Sequence, residues 1–357
     1  MADFFEIDFL DVESDKSGDA IPLRYEINGV TTIHIVDGGY SDTGDKVVDH
    51  VNNYYGNPKV IDRVVVTHPD KDHACGIKTV LERFDSVKEL WMLRPWIYAA
   101  ELLPRFPRYT SAENLAARLR EIYPYIAEVE DIALKKKIPI YEPFQGATIG
   151  AFRVLTPAKS RYLDLIVVSE QTPQSVQAQQ TLLGKIVEAA ATFLKSAWGA
   201  EAFSPEETSA ENEMSVVQYA NLCGHKVLLT GDTGRAGLKE AADYAPAVGL
   251  ALPGIDRFQV PHHGGRRNVS TELLNRWLGP ILPQKPAEGM ETFTAIISAS
   301  PKDKDHPKKA VVRAMIHRGG KAVTTKEGKN LRTGHNAPER TGWEAATPVP
   351  YPDEQEE

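Results

Sequence analysis

Val64-Val65-Val66-Thr67-His68-Pro69-Asp70-Lys71-Asp72-His73 is the stretch that decides how this chain is read. The β-branched run Val64 to Val66 suits a buried strand, and loops leaving the carboxyl ends of strands are where open α/β sheets place their chemistry. This loop carries two imidazoles and two carboxylates at H-x-D-x-D-H spacing. Imidazole with carboxylate suits Zn, Mn or Fe, whereas a structural zinc calls for thiolates. The bland alternative is a solvated turn of Asp70, Lys71 and Asp72, with His73 merely opening the next helix. Four donors packed so closely favour a metal site.

The same pattern recurs outward from this stretch. Upstream, Phe4 to Leu10, Ile21 to Ile27 and Thr31 to Val36 read as a β-meander, with Asn28-Gly29 as a two-residue hairpin turn. The third of these strands ends in Asp37-Gly38-Gly39, and Asp45 to Tyr55 then has helical spacing. Downstream, Lys226 to Thr230 runs into Gly231-Asp232, Arg257 to Val260 into Pro261-His262-His263-Gly264, and Thr294 to Ser298 towards His306, ahead of a helix from about Lys308 to Arg318. Strand after strand ends in an ionisable group, which core packing alone does not require.

The 357 residues, 42% hydrophobic and 25% charged, are ordinary for a globular chain and sufficient for one large domain. Fixed-period repeats, a leader pattern and an apolar run of membrane-spanning length are absent, so a soluble cytoplasmic protein with no membrane contact is expected. Cys75 and Cys223, one pair in so long a chain, read as free thiols. The net charge of −8 argues against a surface wholly devoted to nucleic acid, but Pro301 to Arg332 holds ten lysines and arginines against three acids. Either a solvated helix face or an anionic substrate accounts for that segment.

Two helical pieces interrupt the strand pattern. Residues 94–137 include a capping-box pattern at Thr110 to Glu113, and residues 158–210 include an amphipathic helix from Ser175 to Trp198. The expected organisation is a single domain over residues 1–340 with these two insertions, which offer docking surfaces for a protein partner, followed by an acidic, flexible tail at 341–357.

The order of strand-end groups, an early Asp, then His68/Asp70/Asp72/His73, Asp232, His262/His263 and His306, resembles the metallo-β-lactamase fold superfamily. Phe9 to Val12 with Gly18-Asp19-Ala20-Ile21, Val36 to Gly39, Glu211 to Val217, Leu229 to Asp232 and Val260 to Gly264 look most like the hydrolase domain of ComEC-type competence proteins. The resemblance spans about residues 4–93, 138–157 and 211–332. It implies an α/β fold, a four-layer αββα sandwich of the metallo-β-lactamase type with helical insertions, and two divalent cations, Zn or Mn with Fe as a further candidate.

By that resemblance His68 and Asp70 hold one cation, Asp72 and His73 the other, with Asp232 bridging and His262 completing the second site. Two cations about 3.5–4 Å apart lower the pKa of a bridging water and neutralise the charge that develops on the electrophile. Asp72, His263 and His306 are the candidate catalytic groups. Asp37 is a candidate acceptor orienting the His68–His73 loop rather than a ligand, and Lys308, Lys309 and Arg313 are candidates to bind phosphate. Asp70 stands where the superfamily has a second His, and a hard carboxylate there shifts preference towards Mn or Fe.

The activity implied is a hydrolase, a phosphodiesterase or nuclease acting on nucleotides or nucleic acid. The same site serves a carboxylic ester, lactone or thioester, and a metal-stabilised binding or regulatory module in a larger assembly is the alternative outside catalysis.

Overall fold

The computed structural model describes residues 3–12, 14–172 and 193–356. β1 (Phe4–Phe9), β2 (Ala20–Ile27) and β3 (Val30–Gly38) form the expected antiparallel meander, and Asn28 and Gly29 turn it at φ 53° and 75°. Two residues at positive φ match the right-handed twist of the flanking strands. β3 then runs parallel to β4 (Val60–Val65), followed by β5 (Ser86–Trp91) and the short β6 (Ile140–Tyr141).

A second sheet is built from β7 (Thr148–Ile149), β8 (Phe152–Thr156), β10 (Val217–Leu222), β11 (His225–Leu229), β12 (Arg257–Gln259), β13 (Phe293–Ile297) and β14 (Gly320–Thr324). β15 (Leu331–His335) crosses back to the free edge of β1, so each sheet has seven strands among the described residues. In both sheets an antiparallel half meets a parallel half, β3 to β6 in the first and β11 to β14 in the second. The carboxyl ends of those parallel strands carry the ionisable groups.

The period of two along the strands makes the layers. Val227 and Leu229 of β11 face Ile7, Phe9 and Ile35 of the first sheet in one apolar cluster, while Leu228 between them joins Phe258, Ala295 and Trp277 in another. Each fully buried Val, Leu, Ile or Phe side chain among them stabilises by roughly 1.5–3 kcal/mol. On the outside of the first sheet lie α1 (Ser41–Tyr54) and α2 (Lys71–Arg83), with α3 (Ala112–Ile122) and α4 (Pro124–Lys136) stacked beyond them. α5 (Lys159–Val168) follows β8, and α6 (Arg235–Tyr244), α7 (Thr271–Leu278) and α8 (Lys309–His317) cover the second sheet. The architecture is the four-layer αββα sandwich.

Three expectations change. Within the predicted helix Ser175 to Trp198, residues 175–192 lie outside the described residues, and from Phe193 the chain is a strand, β9 (Phe193–Lys195). The acidic tail is docked rather than frayed: β16 (Glu354–Glu356) pairs antiparallel with β9, and Glu356 accepts the backbone N–H groups of Lys309 (2.9 Å) and Ala310 (3.0 Å). A carboxylate there satisfies the unpaired donors of the first turn of α8 and complements its dipole. Arg313, predicted to bind phosphate, is fully buried under that tail and donates to the carbonyls of Pro352, Ser196 and Ala197 (2.7–3.2 Å). Both cysteines are free, and no helix among the described residues is long and apolar enough to cross a membrane.

Candidate metal centre

The opening stretch lies where β4 gives way to α2. Asp70 is the N-cap of α2 in extended conformation, so His68 and Asp70 precede the helix while Asp72 and His73 project from its first turn. α2 is drawn unusually close to the end of β3, because a Cβ on Gly76 would stand 1.9 Å from the carbonyl oxygen of Gly38. Only glycine permits that approach, which brings His73 to Asp37.

Asp37 itself sits at φ +57°, turned back under the loop. Its Oδ1 accepts the Thr67 backbone N–H (2.8 Å), and its Oδ2 accepts the Thr67 hydroxyl (2.6 Å) and faces His73 Nδ1 at 2.8 Å. With the hydroxyl proton given to Asp37, Thr67 Oγ1 is left to accept from His68 Nδ1, 3.0 Å away. One buried carboxylate therefore sets the tautomer of both histidines and leaves both Nε2 lone pairs aimed inward.

The second sheet supplies the other half. Asp232 follows β11, with its N–H on Ser215 Oγ (3.1 Å) and its carbonyl accepting from Asn268 Nδ2 (2.9 Å). Its Oδ2 lies 3.3 Å from His73 Nε2, 3.6 Å from His263 Nε2, 3.7 Å from His262 Nε2 and 3.9 Å from His68 Nε2. Asp72 Oδ2 is 3.7 Å from His263 Nε2 and 3.9 Å from His73 Nε2.

Donor atoms of Asp72, His73, Asp232 and His263 lie within 4.8 Å of one another. His68 Nε2, His73 Nε2, His263 Nε2 and Asp232 Oδ1 are buried with no hydrogen-bond partner. Buried polar atoms left unpaired around a common point are what a cation's ligands look like, and two carboxylates with two imidazoles is a donor set for Zn, Mn or Fe. The residues fit the metal.

The two adjacent histidines, of which His262 was the expected ligand, are placed differently. Both histidines adopt positive φ (49° and 55°), and the turn they make buries the ring of His263 beside Asp72 while 30% of the His262 side chain stays accessible. His263 completes the four-donor set, and His262 lines the rim beside Asp232. His68 and Asp70 approach one another (3.7 Å) next to Asp232, but among the described residues no comparably tight set forms around that pair. Asp70 remains the point of departure from H-x-H-x-D-H.

Charge explains why a cation belongs here. Burial, with Asp72 and Glu211 close by, pushes the Asp70 carboxyl up to about 8. Burial works against charging His263, yet Asp232 and Asp72 raise it to about 9, and His73 is likewise raised by Asp232 and Asp37 against its burial. Burial holds His68 and His262 down at about 4, neutral and able to donate lone pairs. The upward push on His73 and His263 reports the negative field of Asp37, Asp72 and Asp232, and a divalent cation held by neutral imidazoles offsets that field in place of protons.

His306 lies at the mouth, with its ring 5.2 Å from that of His262 and 6.1 Å from that of His263. Its Nδ1 faces Asp303 Oδ2 at 3.1 Å, and Asp303, buried, also accepts from the N–H (3.0 Å) and Oγ (2.7 Å) of Ser17. Lys308 donates its backbone N–H to the Gly264 carbonyl (3.1 Å), next to the His262–His263 turn, with its side chain three-quarters covered. Lys309 points to the tail instead, where Nζ lies 3.7 Å from Glu354. Sequence reasoning gave no role to Asp303, Thr67, Gln259, Asn268 or Asp19. Asp303 stands three residues before His306, a spacing that was available as a signal.

No family model and no curated protein matches this sequence. Among solved structures, the chain is similar to the metallo-beta-lactamase fold protein YhfI from Bacillus subtilis at 10% identity, covering 92% of this chain and 100% of that one with a TM-score of 0.38. A Beta-lactamase domain protein from Burkholderia ambifaria is 17% identical over 74% of this chain and 68% of that one (TM-score 0.34). AidC, a dizinc quorum-quenching lactonase, is 11% identical over 67% and 71% (TM-score 0.31).

Proposed function

We propose that this chain is a metal-dependent phosphodiesterase or nuclease acting on nucleotides or nucleic acid, as its ComEC-like motifs suggest. The observation that carries the hydrolase reading is the convergence of Asp72, His73, Asp232 and His263 within 4.8 Å, with buried lone pairs unspent. These four would hold one divalent cation, with His68 and Asp70 beside Asp232 as donors for a second. A cation bound there supplies Lewis acidity and makes hydroxide available near neutral pH.

The remaining chemistry falls to the chain. Asp72, a quarter accessible at the edge of the set, orients the attacking water and receives a proton from it. As the new P–O bond forms, the bond to the leaving oxygen breaks and that oxygen needs a proton. Asp303 holds His306 by Nδ1, so Nε2 is the atom left to deliver it. An Asp–His pair of this kind fixes the ring's orientation, so that the imidazolium form presents its Nε2–H to the leaving oxygen. Lys308, beside the His262–His263 turn with its Nζ 3.8 Å from Asp305, adds to the ComEC-like motifs as a reason for preferring phosphodiesters to neutral esters or lactones.

The test is metal analysis with a substrate panel on wild type and Asp232→Asn. Bound divalent cation and hydrolysis of model phosphodiesters or oligonucleotides by wild type, both lost in the variant, support the reading. Hydrolysis confined to lactones, esters or thioesters moves the substrate to the second class. A wild-type protein that stays metal-free after growth with ample Mn and Zn defeats it.

A further inference from the structure

Asp19 is buried (1% accessible) beside the metal centre, and none of the steps above uses it. Its backbone is welded to the first sheet's half of the site. Asp19 N–H donates to the Asp72 carbonyl (3.2 Å), its carbonyl accepts from Gly39 (2.7 Å), and Gly39 in turn accepts from Gly76 in α2 (2.9 Å). The residue before it presses on the same point, since a Cβ on Gly18 would meet the Asp72 carbonyl oxygen at 2.6 Å.

The Asp19 side chain crosses to the other sheet. Oδ2 accepts from Gln259 Nε2 at 2.8 Å, both groups being buried. Gln259 Oε1 accepts the backbone N–H groups of Thr230 (2.8 Å) and Gly231 (3.2 Å), the two residues that deliver Asp232. The path Asp72–Asp19–Gln259–Gly231–Asp232 thus links a ligand of one sheet to a ligand of the other. On the far side of the loop the Thr67 carbonyl takes the N–H of Val216 (3.0 Å), so the two half-sites are tied at both flanks.

We propose that the Asp19–Gln259 hydrogen bond is a positioning device that sets the separation of the two half-sites, and with it cation affinity. The proposal rests on the metal-binding reading of the preceding subsection. It assigns Asp19 the role of an acceptor for Gln259, not that of a metal ligand or of a charge acting on His73, whose Nδ1 is 3.9 Å away. A four-donor set spread over two sheets is complete only at one spacing of those sheets, and groups one shell behind the ligands commonly change metal affinity about 10–100-fold.

The amide and carboxylate can be exchanged, and this makes the test specific. In Asp19→Asn an amide oxygen still accepts from Gln259. In Gln259→Glu two carboxylates face each other across the gap. In the double variant Asp19→Asn with Gln259→Glu, the new amide donates to the new carboxylate, which still accepts from Thr230 and Gly231. Zn2+ affinity is measured by competition with a chromophoric chelator, and the visible spectrum of the Co2+-loaded protein reports coordination geometry. Expected are tenfold or greater weakening in Asp19→Ala and in Gln259→Glu, affinity within about threefold of wild type in Asp19→Asn, and recovery of affinity and of the Co2+ spectrum in the double exchange.

Asp19→Asn as weak as Asp19→Ala, or a double exchange no better than Gln259→Glu alone, overturns the proposal. So does Asp19→Ala with wild-type affinity, and it leaves the metal reading intact. A wild-type protein that binds no Zn2+ removes that reading and this inference together. If Asp19→Ala fails to fold, the exchange series still decides.

Discussion

His73 Nδ1 and Asp37 Oδ2 meet at 2.8 Å, deep beneath the loop that joins β4 to α2, and this contact decides which nitrogen of His73 faces Asp232. The same carboxylate takes the Thr67 hydroxyl, through which it also settles His68. Replacing Asp37 by Ala frees both rings to change tautomer and leaves the Thr67 N–H unpaired. Cation affinity is expected to fall about 10–100-fold, with a separate stability loss of about 1–3 kcal/mol for the orphaned buried donor. Chelator competition reads the first and denaturant unfolding of the metal-free protein the second; unchanged affinity excludes an orienting role for Asp37.

His262 and His263 are adjacent, identical in type and both near Asp232, yet only the second lies in the compact donor set. His263→Ala is expected to abolish stoichiometric binding of the tightly held cation. His262→Ala should retain that cation and lose activity through the rim of the site. Metal content after dialysis separates them, and equal metal loss in both variants would mean that the rim ring is a ligand as well.

The strands and the ligand-bearing loop were legible because both rest on local patterns: alternation along β1 to β3, a β-branched run before His68, and Asp232 straight after β11. What was not legible depends on the third dimension. The choice between His262 and His263 lies in two left-handed backbone conformations rather than in residue type. Asp19 and Gln259 are 240 positions apart, and nothing local announces that they pair. Arg313 looked like a surface cation in a basic segment because the pattern of α8 does not reveal that β16 closes over its remaining face, burying every residue from Ala310 to His317. Arg332 and Arg318 likewise turn inward, to Glu6 and Glu201, so the basic run offers less free charge than its composition suggests.

The contrast between Lys308 and Arg313 follows from that burial. Arg313→Ala removes donors to three carbonyls and the packing of its guanidinium over the Tyr351 ring (4.7 Å), so it is expected to destabilise by about 3 kcal/mol or more and to loosen the tail. Thermal unfolding and protease sensitivity of the carboxyl-terminal residues report this. Lys308→Ala should leave the melting temperature within a few degrees and instead raise KM for a phosphodiester. A reversed pattern would return Arg313 to the substrate.

Acid stability is expected to depend on Glu201, far from the metal centre. Its side chain is almost wholly buried, and it receives Arg318 through both oxygens, the Thr271 hydroxyl (2.6 Å) and a contact with His317 Nδ1 (3.2 Å). Burial opposes its charge, but these partners win and hold the carboxyl down at about 2, against an ordinary 4.5. A carboxyl with a lowered folded-state pKa binds its proton more readily in the unfolded chain, so the stability it confers is full above pH 4.5 and is lost as pH falls towards 2. At 1.36 kcal/mol per unit, the contribution is on the order of 3 kcal/mol. Urea unfolding between pH 6 and pH 2.5 should show wild type losing stability steeply across this window, while Glu201→Gln, weaker at pH 6, declines less over the same range. Parallel curves for the two proteins would show that Glu201 is not the group that titrates.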